Sequence, residues 1–222
     1  MRKDDYMKHK AVLFDLDGTL TDSGEGIINC AQYAFRQMGY PVPPREAMNV
    51  FIGPPLWGTF EAFGIPKERT EEAVQIFRSR YVPIGKFENK PYEGIRELLE
   101  TLGAQGWERY VATSKPEETA KEILEHFDMD QYFDCICGAS IEHNLYEKDQ
   151  VIAYLLGKTQ PGDLRVMVGD TKYDVIGAAA HKIPTIGVSW GYGKAQEMLD
   201  AGAIGIAATP EELLQMLNEQ VL

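Results

Sequence analysis

The chain has 222 residues, 44% of them hydrophobic and 25% charged, the values of an ordinary globular protein without disordered, collagen-like or low-complexity bias. Against 34 Asp and Glu stand 22 Lys and Arg, and the net charge of −12 repels nucleic acid and anionic membrane surfaces, which argues against either as a partner. An anionic small substrate stays compatible, because one divalent cation held by a few carboxylates reverses the potential inside a cleft. Cys30, Cys135 and Cys137 lack paired zinc-ligand spacing and read as reduced thiols of a cytoplasmic protein. The start is charged and the first apolar run is cut by Asp15, so neither a signal-peptide core nor a membrane span is expected.

In chain order, Ala11-Val12-Leu13-Phe14 reads as a buried strand that ends abruptly in Asp15-Leu16-Asp17-Gly18-Thr19. Ile27, Ile28, Ala31, Ala34, Phe35 and Met38 recur at helical spacing and predict an amphipathic helix over 25–38, stopped by Gly39. Residues 40–90 hold further helical patterns, notably over 67–81, with proline- and glycine-rich joints and no β-branched strand; they read as an all-helical insert. Beyond Pro91, helices over 94–102, 116–126, 147–156, 173–181 and 210–217 alternate with strands over 109–112, 134–137, 164–168 and 184–188. This alternation predicts an α/β fold, a Rossmann-like parallel sheet with helices on both faces, whose strand ends lie along one ligand-binding edge. The expected division is a discontinuous α/β core over 1–22 and 91–222 and a helical unit over 23–90.

Three of the predicted strands end in polar chemistry. Asp15 and Asp17 can bring two carboxyls to one ligand, with Gly18 allowing close backbone approach, although an isolated Asp-x-Asp also serves as a turn or cap. Thr113 can donate to a phosphoryl oxygen; a helix-capping role is the alternative, and Ser114 suits it better. Asp170 and Asp174 are spaced to share a helix face and suit Mg²⁺, or else simply complement a helix N-terminus. Lys148, taken alone, is a solvated helix residue, and gains meaning only from the order acid pair, hydroxyl, lysine, acid pair. The aromatics of the insert read as its core.

That order resembles the haloacid dehalogenase superfamily of phosphohydrolases. Asp15-Leu16-Asp17-Gly18-Thr19-Leu20-Thr21-Asp22-Ser23 resembles its first motif, Thr113 its second, Lys148 its third and Gly169 to Asp174 its fourth, while the helical insert is similar to its first type of cap. Phe51 to Leu56, Glu88 to Gly94, Ala112 to Pro116 and Gly191-Tyr192-Gly193 are similar to the phosphoglycolate-phosphatase-like branch. The resemblance implies an Mg²⁺-dependent phosphatase acting on a small phosphorylated metabolite. Asp15 is then the nucleophile and Asp17 the general acid and base. Thr113, Ser114 and Lys148 bind the phosphoryl group, and the side chains of Asp15, Asp170 and Asp174 with the Asp17 backbone carbonyl hold the metal, Asp174 directly or through water. It further implies that the cap closes through hinges at 23–26 and 86–91 and presents Gly53, Pro54 and Pro55 to the leaving group. A 5'-nucleotidase or a β-phosphoglucomutase-type phosphomutase shares these motifs, and a phospho-receiver module shares part of them. The acid at Asp17 excludes the dehalogenase reaction, which lacks it. The sequence assigns neither a particular substrate nor an oligomeric state.

Overall fold

The computed structural model describes residues 9–140, 142, 143, 145, 147–159, 162 and 164–220. The charged start, where the sequence predicts no leader, falls outside the described residues through position 8. The chain separates into two compact units, one of Met1–Leu20 with Tyr92–Leu222 and one of Thr21–Pro91. Among the described residues no helix is long and apolar enough to cross a membrane.

The first unit is built on a six-stranded sheet of β1 (Lys10–Phe14), β2 (Trp107–Pro116), β3 (Cys135–Ala139), β4 (Leu164–Gly169), β5 (Thr185–Val188) and β6 (Gly205–Ala207). Its order is β3-β2-β1-β4-β5-β6 and every pairing is parallel, as the alternating pattern predicts. Along β1, Val12 and Phe14 enter one apolar layer and Ala11 and Leu13 the other, so the period of two that makes a strand also makes it buried on both sides. The first layer is completed by Leu98, Leu99 and Leu102 of the helix Ile95–Ala104, by Ile123 and Leu124 of Glu117–His126, and by Leu213 and Leu217 of Pro210–Glu219. The second is completed by Val151, Ile152 and Leu155 of Lys148–Thr159 and by Ala178 of Lys172–Ala179.

From β1 the chain runs outward to β2 and β3, then returns to the opposite side of β1 and runs outward through β4, β5 and β6. The carboxyl end of β1 therefore stands where the winding direction reverses, flanked by the ends of β2 and β4, and that is the place where open α/β sheets leave a crevice. Two elements were not foreseen, the helix Ala195–Asp200 and the three-residue edge strand β6. Both are too short to establish a period.

The second unit contains α1 (Gly24–Gln37), α2 (Leu56–Ala62) and α3 (Thr70–Tyr81) with three 3₁₀ turns; one of these, Lys67–Arg69, precedes α3 where the sequence suggests a single helix over 67–81. Its core is aromatic: Phe51 lies 5.0 Å from Phe60 and Phe60 5.5 Å from Phe35, centroid to centroid. Phe51 and Phe60 are buried, whereas Trp57 is exposed beneath the Arg78 guanidinium at 5.2 Å and donates to Glu71. The two crossing segments pair with each other, Asp22 N donating to Lys90 O at 2.8 Å and Gly26 N to Glu88 O at 3.0 Å. A Cβ on Gly26 would overlap the Gly85 carbonyl, so this close approach requires glycine. Gly53 takes a left-handed φ of +100°, and Pro55 stands immediately before α2.

Glu88 anchors this unit. Arg80 donates to it twice, at 2.7 and 2.8 Å, Asn29 adds a third bond at 3.2 Å, and the Arg80 pairing holds the Glu88 carboxyl below its usual value. An acid whose folded value is depressed contributes stability above its unfolded value and loses it as pH falls through the folded one. Glu88→Gln is expected to lower the unfolding free energy by about 1 kcal/mol at neutral pH. In urea titrations the deficit should shrink as pH falls below the 4.5 of an ordinary glutamate.

Candidate active site

Asp15 follows β1 directly, its N–H donating to Val168 O at 2.9 Å, so that strand pairing continues one step into the site. The chain then turns tightly, with Leu20 N donating to Leu16 O at 2.9 Å and Gly18 at φ +85°. Gly18 is required twice over, by its left-handed backbone and because a Cβ there would overlap the Asp170 carboxylate. The turn aims Asp17 back toward the end of β2.

Lys148, the first residue of its helix, donates to Asp15 Oδ1 at 2.6 Å and to the Ala112 carbonyl at 2.9 Å, and its Nζ forms an ion pair with Asp174 Oδ1 at 2.8 Å. It is only 7% exposed, which sets aside the solvated-helix reading. Burial works against its charge, but Asp15 and Asp174 outweigh that and hold its pKa above the ordinary lysine value. Asp174 complements the helix N-terminus, one of the two roles considered for it. Its Oδ2 accepts from Thr171 N at 3.0 Å and Thr171 Oγ1 at 2.9 Å at the start of the helix Lys172–Ala179, while Oδ1 meets Lys148.

Asp170, directly after β4, is 1% exposed and accepts from Tyr192 N at 2.8 Å through Oδ2. The glycines around Tyr192 now have a physical reason, since a Cβ on Gly191 would overlap the Asp170 side chain and one on Gly193 the Asp170 carbonyl. Thr113 is buried, whereas Ser114 is exposed. Strand β2 runs on through Pro116, and Ser114 does not cap the next helix, which begins at Glu117 after Pro116. Alternation along the prolonged strand turns Thr113 and Lys115 inward, with Lys115 N donating to Thr113 Oγ1 at 3.2 Å. Lys115 is the site residue the sequence reading overlooked: its Nζ lies 2.8 Å from Asp17 Oδ2, and both groups are largely buried. The signal was present in its spacing of two from Thr113, but the predicted strand stopped at 112.

Asp15, Asp170 and Asp174 each offer a carboxylate oxygen within 4.8 Å of the others. Asp17 Oδ1 and Asp170 Oδ1 are buried and accept no hydrogen bond. With Asp17, Asp15, Asp170 and Asp174 ionised against Lys115 and Lys148, two negative charges stay uncompensated. Burial pushes Asp15 up to about 6 against the pull of Lys148, and Asp170 is raised by burial and then by Asp174 and Asp15. Clustered hard oxygens, orphaned acceptors and an excess of two negative charges fit a divalent cation such as Mg²⁺. Asp170→Asn removes a charge that the metal-free protein holds at a cost. It should raise metal-free stability by about 1–2 kcal/mol, and abolish the rise in melting temperature that MgCl₂ produces in the wild type, both read by thermal unfolding.

Comparison with known proteins agrees with this geometry. The family model described as haloacid dehalogenase-like hydrolase matches residues 12–188. The tyrosine-protein kinase PtkA of Mycobacterium tuberculosis is 42% identical over 210 residues, 93% of this chain and 72% of that protein. A 5'-nucleotidase of Pseudomonas aeruginosa is 38% identical over 198 residues, covering 88% of this chain and 90% of its own. The crystal structure of a predicted phosphatase from Clostridium acetobutylicum superimposes with a TM-score of 0.89 at 41% identity, covering 96% of this chain and 99% of that one. With a sheet reversal that gathers four aspartates, a threonine and two lysines, and with these matches across nearly all of its length, the chain belongs to the haloacid dehalogenase-like hydrolase family, among its phosphatases.

Proposed function

We propose that the chain is an Mg²⁺-dependent phosphatase that hydrolyses a small phosphate monoester through an aspartyl-phosphate on Asp15. The observation that carries this reading is the buried Lys148 bridging Asp15 and Asp174 at the sheet reversal, beside the unpartnered Asp170 Oδ1. Asp15, Asp170 and Asp174, with the Asp17 backbone carbonyl, would hold the ion. Bound magnesium supplies charge neutralisation and Lewis-acid polarisation of the phosphate, so that an anionic nucleophile can approach it.

The chain's own residues do the rest. Asp15 attacks phosphorus, and the bond to the leaving oxygen breaks as Asp17 delivers a proton to it. Asp17 then accepts a proton from the water that opens the acyl phosphate. Lys115 holds Asp17 Oδ2 and so fixes where Oδ1 can point. Lys148 and the Thr113 hydroxyl, with Ser114 at the rim, oppose the charge gathering on the phosphoryl oxygens. Residues 23–90, with the loop of Gly53, Pro54 and Pro55, select the leaving group. The protein works in the cytoplasm, in keeping with its three free cysteines.

The relative named 5'-nucleotidase favours a nucleoside monophosphate among the possible esters, and the relatives named tyrosine-protein kinase raise a tyrosine hydroxyl as an alternative acceptor to water. Release of inorganic phosphate from p-nitrophenyl phosphate and from a panel of nucleoside monophosphates, phosphoglycolate and hexose phosphates decides among them. Transfer of label from γ-labelled ATP to protein tyrosine is run in parallel.

Asp15→Asn should lose at least ~1,000-fold in kcat, and wild-type turnover by that variant would overturn the reading. Lys115→Met should lose about 10–100-fold on an alkyl phosphate and little on p-nitrophenyl phosphate, whose leaving group departs without a proton. Equal losses on both esters would remove Lys115 from the proton-delivery step.

A further inference from the structure

Away from the aspartate cluster, Cys135 and Cys137 sit two residues apart on β3, on the same side of the strand, with their Sγ atoms 3.6 Å apart. Strand β3 is an edge of the sheet, paired only with β2. Cys135 is part-exposed and Cys137 fully buried. We propose that these two cysteines form a peroxide-reactive dithiol, Cys135 attacking and Cys137 resolving, whose disulfide lowers the activity of the neighbouring catalytic cluster. The last clause rests on the phosphatase reading above; the dithiol chemistry does not.

The neighbourhood supports this division of labour. The sulfur–sulfur contact with Cys137 holds Cys135 down to about 6 against partial burial, and Lys158 and Lys121 add to that while Glu117 opposes it. The same contact and burial push Cys137 up, the order that suits an attacking Cys135 and a resolving Cys137. The Cys135 thiolate attacks one oxygen of hydrogen peroxide, the O–O bond breaks, and the departing hydroxide takes a proton to leave as water. The Cys137 sulfur then attacks the resulting sulfenic acid, the S–O bond breaks, and the departing hydroxide leaves as water with the Cys137 proton. Two thiols lose two electrons, and one peroxide becomes two waters.

The consequence follows from strand geometry. Residues two apart on a strand are separated by about 6.6 Å, at the upper end of what a disulfide spans. Closing the bond therefore shortens β3 between Cys135 and Cys137. Cys137 is the register partner of Ala112, and the Ala112 carbonyl accepts from Lys148, which in turn holds Asp15. A change in β3 thus acts three contacts away from the nucleophile. A bond with one part-exposed sulfur is accessible to reductants, which suits a reversible modification.

The full chain is treated with hydrogen peroxide and read by intact mass, thiol titration under denaturing conditions and phosphate release. Expected are a mass loss of two hydrogens, disappearance of two of the three thiols, a Cys135–Cys137 disulfide in peptide maps, and a fall of about 10-fold or more in kcat, all reversed by dithiothreitol. Cys137→Ser should instead leave a sulfenic acid on Cys135 that dimedone traps, and Cys30→Ser should behave as wild type. Survival of both Cys135 and Cys137 as thiols under peroxide that oxidises Cys30 would overturn the dithiol. A disulfide that forms without changing kcat, or an equal peroxide-induced fall in Cys135→Ser, would overturn its link to the catalytic cluster. Absence of turnover before oxidation would count against the phosphatase reading alone, since the mass and thiol measurements need no activity.

Discussion

The site depends on one buried ammonium group. Lys148 stands at the start of its helix, donates to Asp15 and the Ala112 carbonyl and pairs with Asp174, groups that belong to the ends of β1 and β2 and to the post-β4 helix. A cation so buried is tolerated only where its partners repay the lost hydration, and here two carboxylates and a carbonyl do so in full. The same contacts fix the Asp15 carboxylate. Asp15 cannot swing away from the cleft without leaving a buried ammonium unpaired, so the arrangement is rigid before any ligand arrives.

The carboxylates would be unstable without such help. Asp15, Asp170 and Asp174 lie close enough for their oxygens to approach within 4.8 Å, and two lysines leave the four-aspartate group short of neutrality. Packing against Gly18, Gly169, Gly191 and Gly193 explains how four acids are brought together at all: at each of these positions a single added carbon would overlap Asp170 or Asp174. The glycines supply closeness and the sheet supplies direction. The result is a cluster of buried acceptors, Asp170 Oδ1 among them, that could hold a cation.

Strand-end chemistry made most of this cluster legible in the sequence. A buried parallel strand announces itself as an uninterrupted apolar run, and the first polar residue after it necessarily lies on the sheet's ligand-binding edge. Asp15, Thr113 and Asp170 are found by that rule, and Asp174 by helical spacing from Asp170. Lys148 is intelligible only from its place in the order acid pair, hydroxyl, lysine, acid pair, because nothing in its own surroundings distinguishes it from a surface lysine. Lys115 escaped for a different reason. The polar run Thr113-Ser114-Lys115 looks like the end of a strand, yet β2 continues through it with a register irregularity between Ala112 and Pro116, and a period of two cannot be read where the apolar face has stopped. β6 and the helix Ala195–Asp200 escaped because neither completes enough of a period to be seen.

The overall charge of −12 now has a different meaning from the one composition gave it. Exposed acids are screened within about 8 Å at physiological ionic strength, so most of the excess negative charge sets solubility and says nothing about the ligand. The four site aspartates, three of them buried, are not screened in that way, and the local potential is decided by them together with Lys115 and Lys148. An acidic protein can therefore carry a cleft that draws in an anion. The requirement is that its attracting charges be few, buried and ordered, as Lys148 is by two hydrogen bonds and an ion pair at 2.6 to 2.9 Å.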